Sequence, residues 1–142
     1  MLEEVLRISG SGLGRRRSEV LDRRIVEGDC LVVMDADGHP ALKIRETLSE
    51  DGMEISLDGK VTVDASHDFE DEMISAASMC DTIRIDFKGL KSIASAGLKT
   101  LLSMQQILDQ RPDTSLTLKG IRDDVLDTFN DTGFLGLFCI ED

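Results

Sequence analysis

The chain has 142 residues and a formal charge of −12, from 28 Asp and Glu against 16 Lys and Arg. That excess of carboxylate argues against a protein built to neutralise nucleic-acid phosphates or an anionic membrane, because both tasks need a basic surface. Five Phe with neither Trp nor Tyr leave a mainly aliphatic core, and their scarcity takes support from base stacking and cation caging.

Residues 1–24 differ from the rest. They hold Arg7, Arg15, Arg16, Arg17, Arg23 and Arg24 and the flexible stretch Ser9-Gly10-Ser11-Gly12-Leu13-Gly14. The glycines resemble a phosphate loop, but no strand precedes them and no Lys-Ser/Thr follows. They read as a flexible Arg/Gly-containing N-terminal arm. Met1-Leu2-Glu3-Glu4 has no apolar run behind it, so no secretion signal is expected. The apolar runs are too short for a membrane span. Cys30, Cys80 and Cys139 are widely spaced, with no CxxC and no Cys/His pairing, which predicts reduced thiols in a cytoplasmic protein and no metal centre.

The elements follow in chain order. Cys30 to Met34 reads as a buried strand, Asp35-Ala36-Asp37-Gly38 as a turn, and Ala41 to Leu48 as the returning strand. Residues 25–48 therefore form extra N-terminal strands. Met53, Ile55 and Leu57 alternate onto one face, and Asp58-Gly59 suggests a tight turn into Val61-Thr62-Val63. The period then changes. Asp64 or Ser66 can cap a helix carrying Phe69, Met73, Ile74 and Ala77 and ending near Cys80. Thr82 to Phe87 is a strand that Gly89 should break, with Leu90 to Ile93 as a connector. A second helix starts at Ser95 and is stopped by Arg111-Pro112-Asp113. Leu116 to Leu118 is a strand, a third helix follows Gly120 with Gly133 as its C-cap, and Leu137 to Ile140 closes the chain. The order from residue 60 is β-α-β-α-β-α-β, which predicts an α/β fold with a mostly parallel sheet behind an antiparallel start.

Chemistry for catalysis is hard to find. His39 and His67 stand in no motif, and no GxSxG, HExxH or Walker sequence occurs. The carboxylate pairs fall at helix starts, where capping accounts for them. The expectation is a non-enzyme without cofactor or metal. Ser95 is the residue of interest. At the start of a helix its hydroxyl can cap the free N–H groups of Gly97 or Leu98. Ala96 and Gly97 are small and let another surface approach. A phosphate on Ser95 would sit on a helix N-terminus, which favours an anion, with Lys99 one turn away.

Residues 41–142 resemble the STAS domain, the fold of bacterial anti-sigma factor antagonists and of sulfate-transporter tails. The matching stretches are Ile55 to Ala65, Ile83 to Leu90, Ile93 to Leu101 and Phe129 to Phe134. The resemblance implies a STAS-like mixed β-sheet with helices. It implies a protein partner, a kinase-type anti-sigma factor that binds the unmodified antagonist and releases it once Ser95 is phosphorylated. The implied partner-binding residues are Asp58, Asp86, Ser92, Ala94, Ala96, Gly97 and Lys99, with Asp86 close to the Ser95 loop. Ala94 stands where the family usually has Asp. That departure keeps open a second reading, an unphosphorylated STAS module in a transporter or signalling assembly, including a homodimer through the N-terminal strands. Nucleotide binding has only the glycine-rich arm to support it.

Overall fold

The structure, a computed structural model, describes residues 20–21, 24–27 and 30–141. Among them, eight strands form one sheet in chain order. They are β1 (Val20–Leu21), β2 (Arg24–Glu27), β3 (Cys30–Met34), β4 (Pro40–Ser49), β5 (Gly52–Val61), β6 (Thr82–Ile93), β7 (Ser115–Lys119) and β8 (Cys139–Glu141). The helices are α1 (Ser66–Met79), α2 (Ser95–Asp109) and α3 (Asp123–Thr132), with a 3₁₀ turn at Leu135–Leu137. The antiparallel start runs through β5, and β5–β6, β6–β7 and β7–β8 are parallel. Of the stretch expected to be an arm, Val20, Leu21 and Arg24 lie in strands; residues 1–19, 22 and 23 lie outside the described residues.

Each crossover steps one strand in the same direction. Right-handed connections then place all three helices on one face of the sheet. The burial pattern agrees. Met53, Ile55 and Leu57 of β5, Ile83, Ile85 and Phe87 of β6, and Leu116 and Leu118 of β7 are buried under the helices. The alternate residues Glu54, Ser56, Asp58, Arg84, Asp86, Thr117 and Lys119 point the other way. Phe69, Met73 and Ala77 of α1, Leu98, Leu101, Met104 and Leu108 of α2, and Val125 and Phe129 of α3 close the core. Phe129 meets Phe87 and Phe138 edge to face, at centroid distances of 6.1 and 6.0 Å.

Several expected boundaries move. Asp58-Gly59 is no turn: β5 continues to Val61, and Gly59 takes φ +108° where its missing side chain lets Ala41 O approach. Gly89 does not break its strand. β6 shifts register against β5 there, and a Cβ on Gly89 would lie 2.9 Å from Leu57 O, so glycine is what lets the strand pass. The last strand starts at Cys139 rather than Leu137, because the 3₁₀ turn occupies Leu135–Leu137. On α2, Leu102 and Gln105 are only half-buried, and the buried face is Gly97, Leu98, Thr100, Leu101, Met104 and Leu108. Neither Asp64 nor Ser66 caps α1. Ala65 holds the N-cap position, and Ser66 Oγ donates instead to Val63 O at 2.7 Å.

Candidate docking site around Ser95

β5 and β6 stay in register to Val61↔Ile93, and both chains then leave the sheet at the same rim. Ala94 is the N-cap of α2, in extended geometry with φ −75° and ψ 160°. Its N–H donates to Val61 O at 2.8 Å, and its own carbonyl accepts from Gly97 N at 2.9 Å and Leu98 N at 3.3 Å. Ser95 is therefore the first helical residue and not the cap, which corrects the sequence expectation. No side chain caps this helix end, and the Ser95 hydroxyl makes no hydrogen bond among the described residues. Ser95, Ala96 and Lys99 are exposed, and no acidic residue lies in the first turn of α2. The helix dipole and the unpaired N–H groups of that turn present a partial positive charge at this rim.

Gly97 was expected at the partner-facing surface, and the structure buries it. A Cβ there would stand 2.7 Å from Ile93 Cγ1 and 2.9 Å from Val61 Cγ1. Its smallness serves the packing of α2 on the sheet rather than an open surface. Ser92 is exposed at the same rim, opposite Lys60, and Ala94 is half-buried.

Asp86 does not reach this rim. Because β6 runs to Ile93, seven strand residues separate the two, about 20 Å at ~3.3 Å per residue. Asp86 lies between Ser56 and Lys119, and its Oδ1 accepts from Lys88 N at 2.9 Å. That bond replaces the ladder partner that β7, ending at Lys119, no longer offers. Asp58 faces Lys43 and Gly89 on the same open side of the sheet. The expected site residues thus divide: Ser92, Ala94, Ser95, Ala96 and Lys99 gather at the rim, Asp58 and Asp86 lie on the open sheet face, and Gly97 is core.

One rim residue escaped the sequence reading. Val63, two residues past the last register pair on the β5 side as Ser95 is on the β6 side, is 77% exposed. Reading it as part of a strand hid it; an apolar residue just past a strand end was the available signal. The β3–β4 turn holds a second small group. Ligand atoms of Asp35, Asp37 and His39 lie within 4.8 Å of one another. Asp35 Oδ1 already accepts from Asp37 N and His39 N, both at 2.9 Å.

A sheet of this order, with helices on one face and a serine opening α2 at the rim, defines a STAS domain. The chain belongs to that family: the family model described as "Mlab, STAS domain" matches residues 44–138. Among solved structures, an anti-sigma factor antagonist from Mycobacterium paratuberculosis is similar with TM-score 0.63 and 16% identity, over 76% of this chain and 89% of that one. The unphosphorylated anti-sigma factor antagonist SpoIIAA gives TM-score 0.59 and 17% identity, over 70% and 88%. Phosphorylated SpoIIAA, a Bacillus cell fate determinant, gives 0.53 and 16%, over 70% and 91%. At these identities the likeness is one of fold. No curated protein sequence matches the chain closely. Among the described residues no helix is long and apolar enough to cross a membrane.

Proposed function

We propose that this chain is a protein-binding regulator of the anti-sigma factor antagonist kind, a non-enzyme that docks its partner through the rim of Ser95, Ala96, Lys99 and Val63. The partner in this reading is a serine-kinase anti-sigma factor. It transfers the γ-phosphoryl of ATP to Ser95 Oγ, the hydroxyl proton leaves, ADP is released, and the complex separates. The observation that carries the reading is the Ser95 hydroxyl: exposed, at a helix N-terminus, and making no hydrogen bond among the described residues. A phosphate there adds ~1.5–2 negative charges to the docking face without disturbing any bond the fold relies on. The SpoIIAA structures in both states support it as fold relatives.

The test is incubation with the cognate kinase and ATP, read by intact mass. One added phosphate on the wild type and none on Ser95→Ala is expected; phosphate that survives Ser95→Ala overturns the reading. Val63→Lys should weaken the complex while leaving Tm in place.

Ala94 favours a second reading, a STAS module that assembles without phosphorylation. A methyl group at the N-cap offers a kinase no carboxylate beside the acceptor, and β1 to β3 widen the sheet edge for pairing with another copy. Light scattering separates the two: a stable dimer that no kinase modifies favours this one.

A further inference from the structure

Among the described residues, the sheet face away from the helices is charged differently from the helices that cover the other face. α1, α2 and α3 carry nine carboxylates and one cation, Lys99. On the open face, a shallow hollow of about 250 Å³ lies between Lys43, Arg45 and Lys88, with Asp58 and Asp86 also in its lining. Gly89 forms part of its floor, where any side chain would strike Leu57 O and Asp58.

The three cations are exposed, and none has an ion-pair partner among the described residues. Elsewhere on this face Lys119 pairs with Glu54 and Arg84 with Glu141 at 3.6 Å, while Lys60, opposite Ser92 toward the Ser95 rim, is exposed with no ion pair among the described residues. Asp86 is partly spent, its Oδ1 holding Lys88 N. A chain of net charge −12 therefore keeps three idle cations together on one flat face. The hollow falls below the ~300–1,000 Å³ of sites that enclose a small molecule. A long nucleic acid would gain few phosphate contacts here and meet the acidic body of the molecule. A short acidic segment lying across β4, β5 and β6 meets only this face.

We propose that the open sheet face is a second docking surface, whose occupant is an acidic polypeptide segment seated with its carboxylates against Lys43, Arg45 and Lys88. Asp58 sets selectivity within it, because a carboxylate of the segment cannot lie beside it. This surface is separate from the Ser95 rim and does not depend on the function proposed there.

The test is a ¹⁵N-resolved titration of the full chain with a short Glu-rich peptide, a Lys-rich peptide and a single-stranded oligonucleotide. Shifts from the Glu-rich peptide are expected at Lys43, Arg45, Ser56 and Lys88, and are lost at ~1 M salt, where screening acts within ~3 Å. Lys43→Glu with Arg45→Glu should weaken binding by about tenfold or more, and Lys99→Glu should not. If that double variant loses its dispersed spectrum, Lys43→Gln with Arg45→Gln decides, with the same direction of loss expected. Shifts centred on Lys91 and Lys99, unchanged affinity in the folded double variant, or tighter binding of the oligonucleotide overturns the proposal. So does concentration-dependent shifting of the face without peptide, which would make its occupant a second copy.

Discussion

Ala94 donates its N–H to Val61 O at 2.8 Å, so the backbone itself ties the start of α2 to the end of β5. Ala94 also occupies the N-cap, and the next residue, Ser95, makes no side-chain hydrogen bond among the described residues. A capping serine replaced by alanine costs about 1 kcal/mol. Ser95→Ala should cost less than about 0.5 kcal/mol, in line with exposed positions away from special contacts. Ser95→Asp should be equally mild or slightly stabilising, since a carboxylate in the first turn suits the helix dipole. Urea melts check both; a loss near 1 kcal/mol in Ser95→Ala would restore the cap.

Gly97 carries the opposite prediction. A helix-interior glycine replaced by alanine gains about 1 kcal/mol in propensity, yet here the new Cβ would come within 3 Å of Ile93 Cγ1 and Val61 Cγ1. Those atoms sit near their own backbones and have little room to yield. Gly97→Val should destabilise by about 2–3 kcal/mol, with Gly97→Ala in between. A Gly97→Val chain that melts like the wild type would show that α2 can lift off the sheet at no cost.

The same two residues show how much of the site was legible. The alternation of strands and helices from residue 60 stood plainly in the sequence, and so did Ser95 as the opening of α2. Residue type misled about roles. Serine is a common N-cap, but the cap is decided by which residue takes extended geometry at the strand end, here Ala94. Glycine suggests an exposed, permissive spot, yet the spacing Gly97, Leu101, Met104, Leu108 already placed it on the buried stripe. Asp58-Gly59 and Gly89 carried turn and breaker signals that close backbone approach between neighbouring strands overrode. Such approaches join residues far apart in sequence, and no local pattern reports them. The location of Asp86 was missed for the same reason, since it depended on where β6 ends.

Arg111 closes the other end of α1. Its Nη2 donates to Ala77 O and Cys80 O, each at 2.8 Å, and its Nε to Asp81 at 3.0 Å. Two terminal helix carbonyls and the entry to β6 thus rest on one guanidinium. Arg111→Ala should cost about 1–3 kcal/mol, mostly from carbonyls left without a donor. Arg111→Lys should recover only part of this, because an ammonium cannot span the same fork. Denaturant midpoints give the comparison, and equal stability of the lysine and wild-type chains would count against the fork.

Asp35 gives the pH prediction. The backbone N–H of His39 is the main cause holding its carboxyl below the ordinary value; burial opposes this, and the N–H of Asp37 and the His39 ring add to the lowering. A carboxyl whose folded value lies below its unfolded one favours the folded state fully above the unfolded value. That contribution falls away as the pH drops through the folded value. The window is therefore acidic, and nothing from this group should change between neutral pH and the ordinary Asp range. A carbon-detected titration of Asp35 should give a midpoint below that range. His39→Gln should raise it slightly, since only the ring charge is lost, whereas His39→Pro, which removes the N–H, should raise it more. Equal midpoints in those two variants would show that the imidazolium, rather than the backbone N–H, sets the acidity of Asp35.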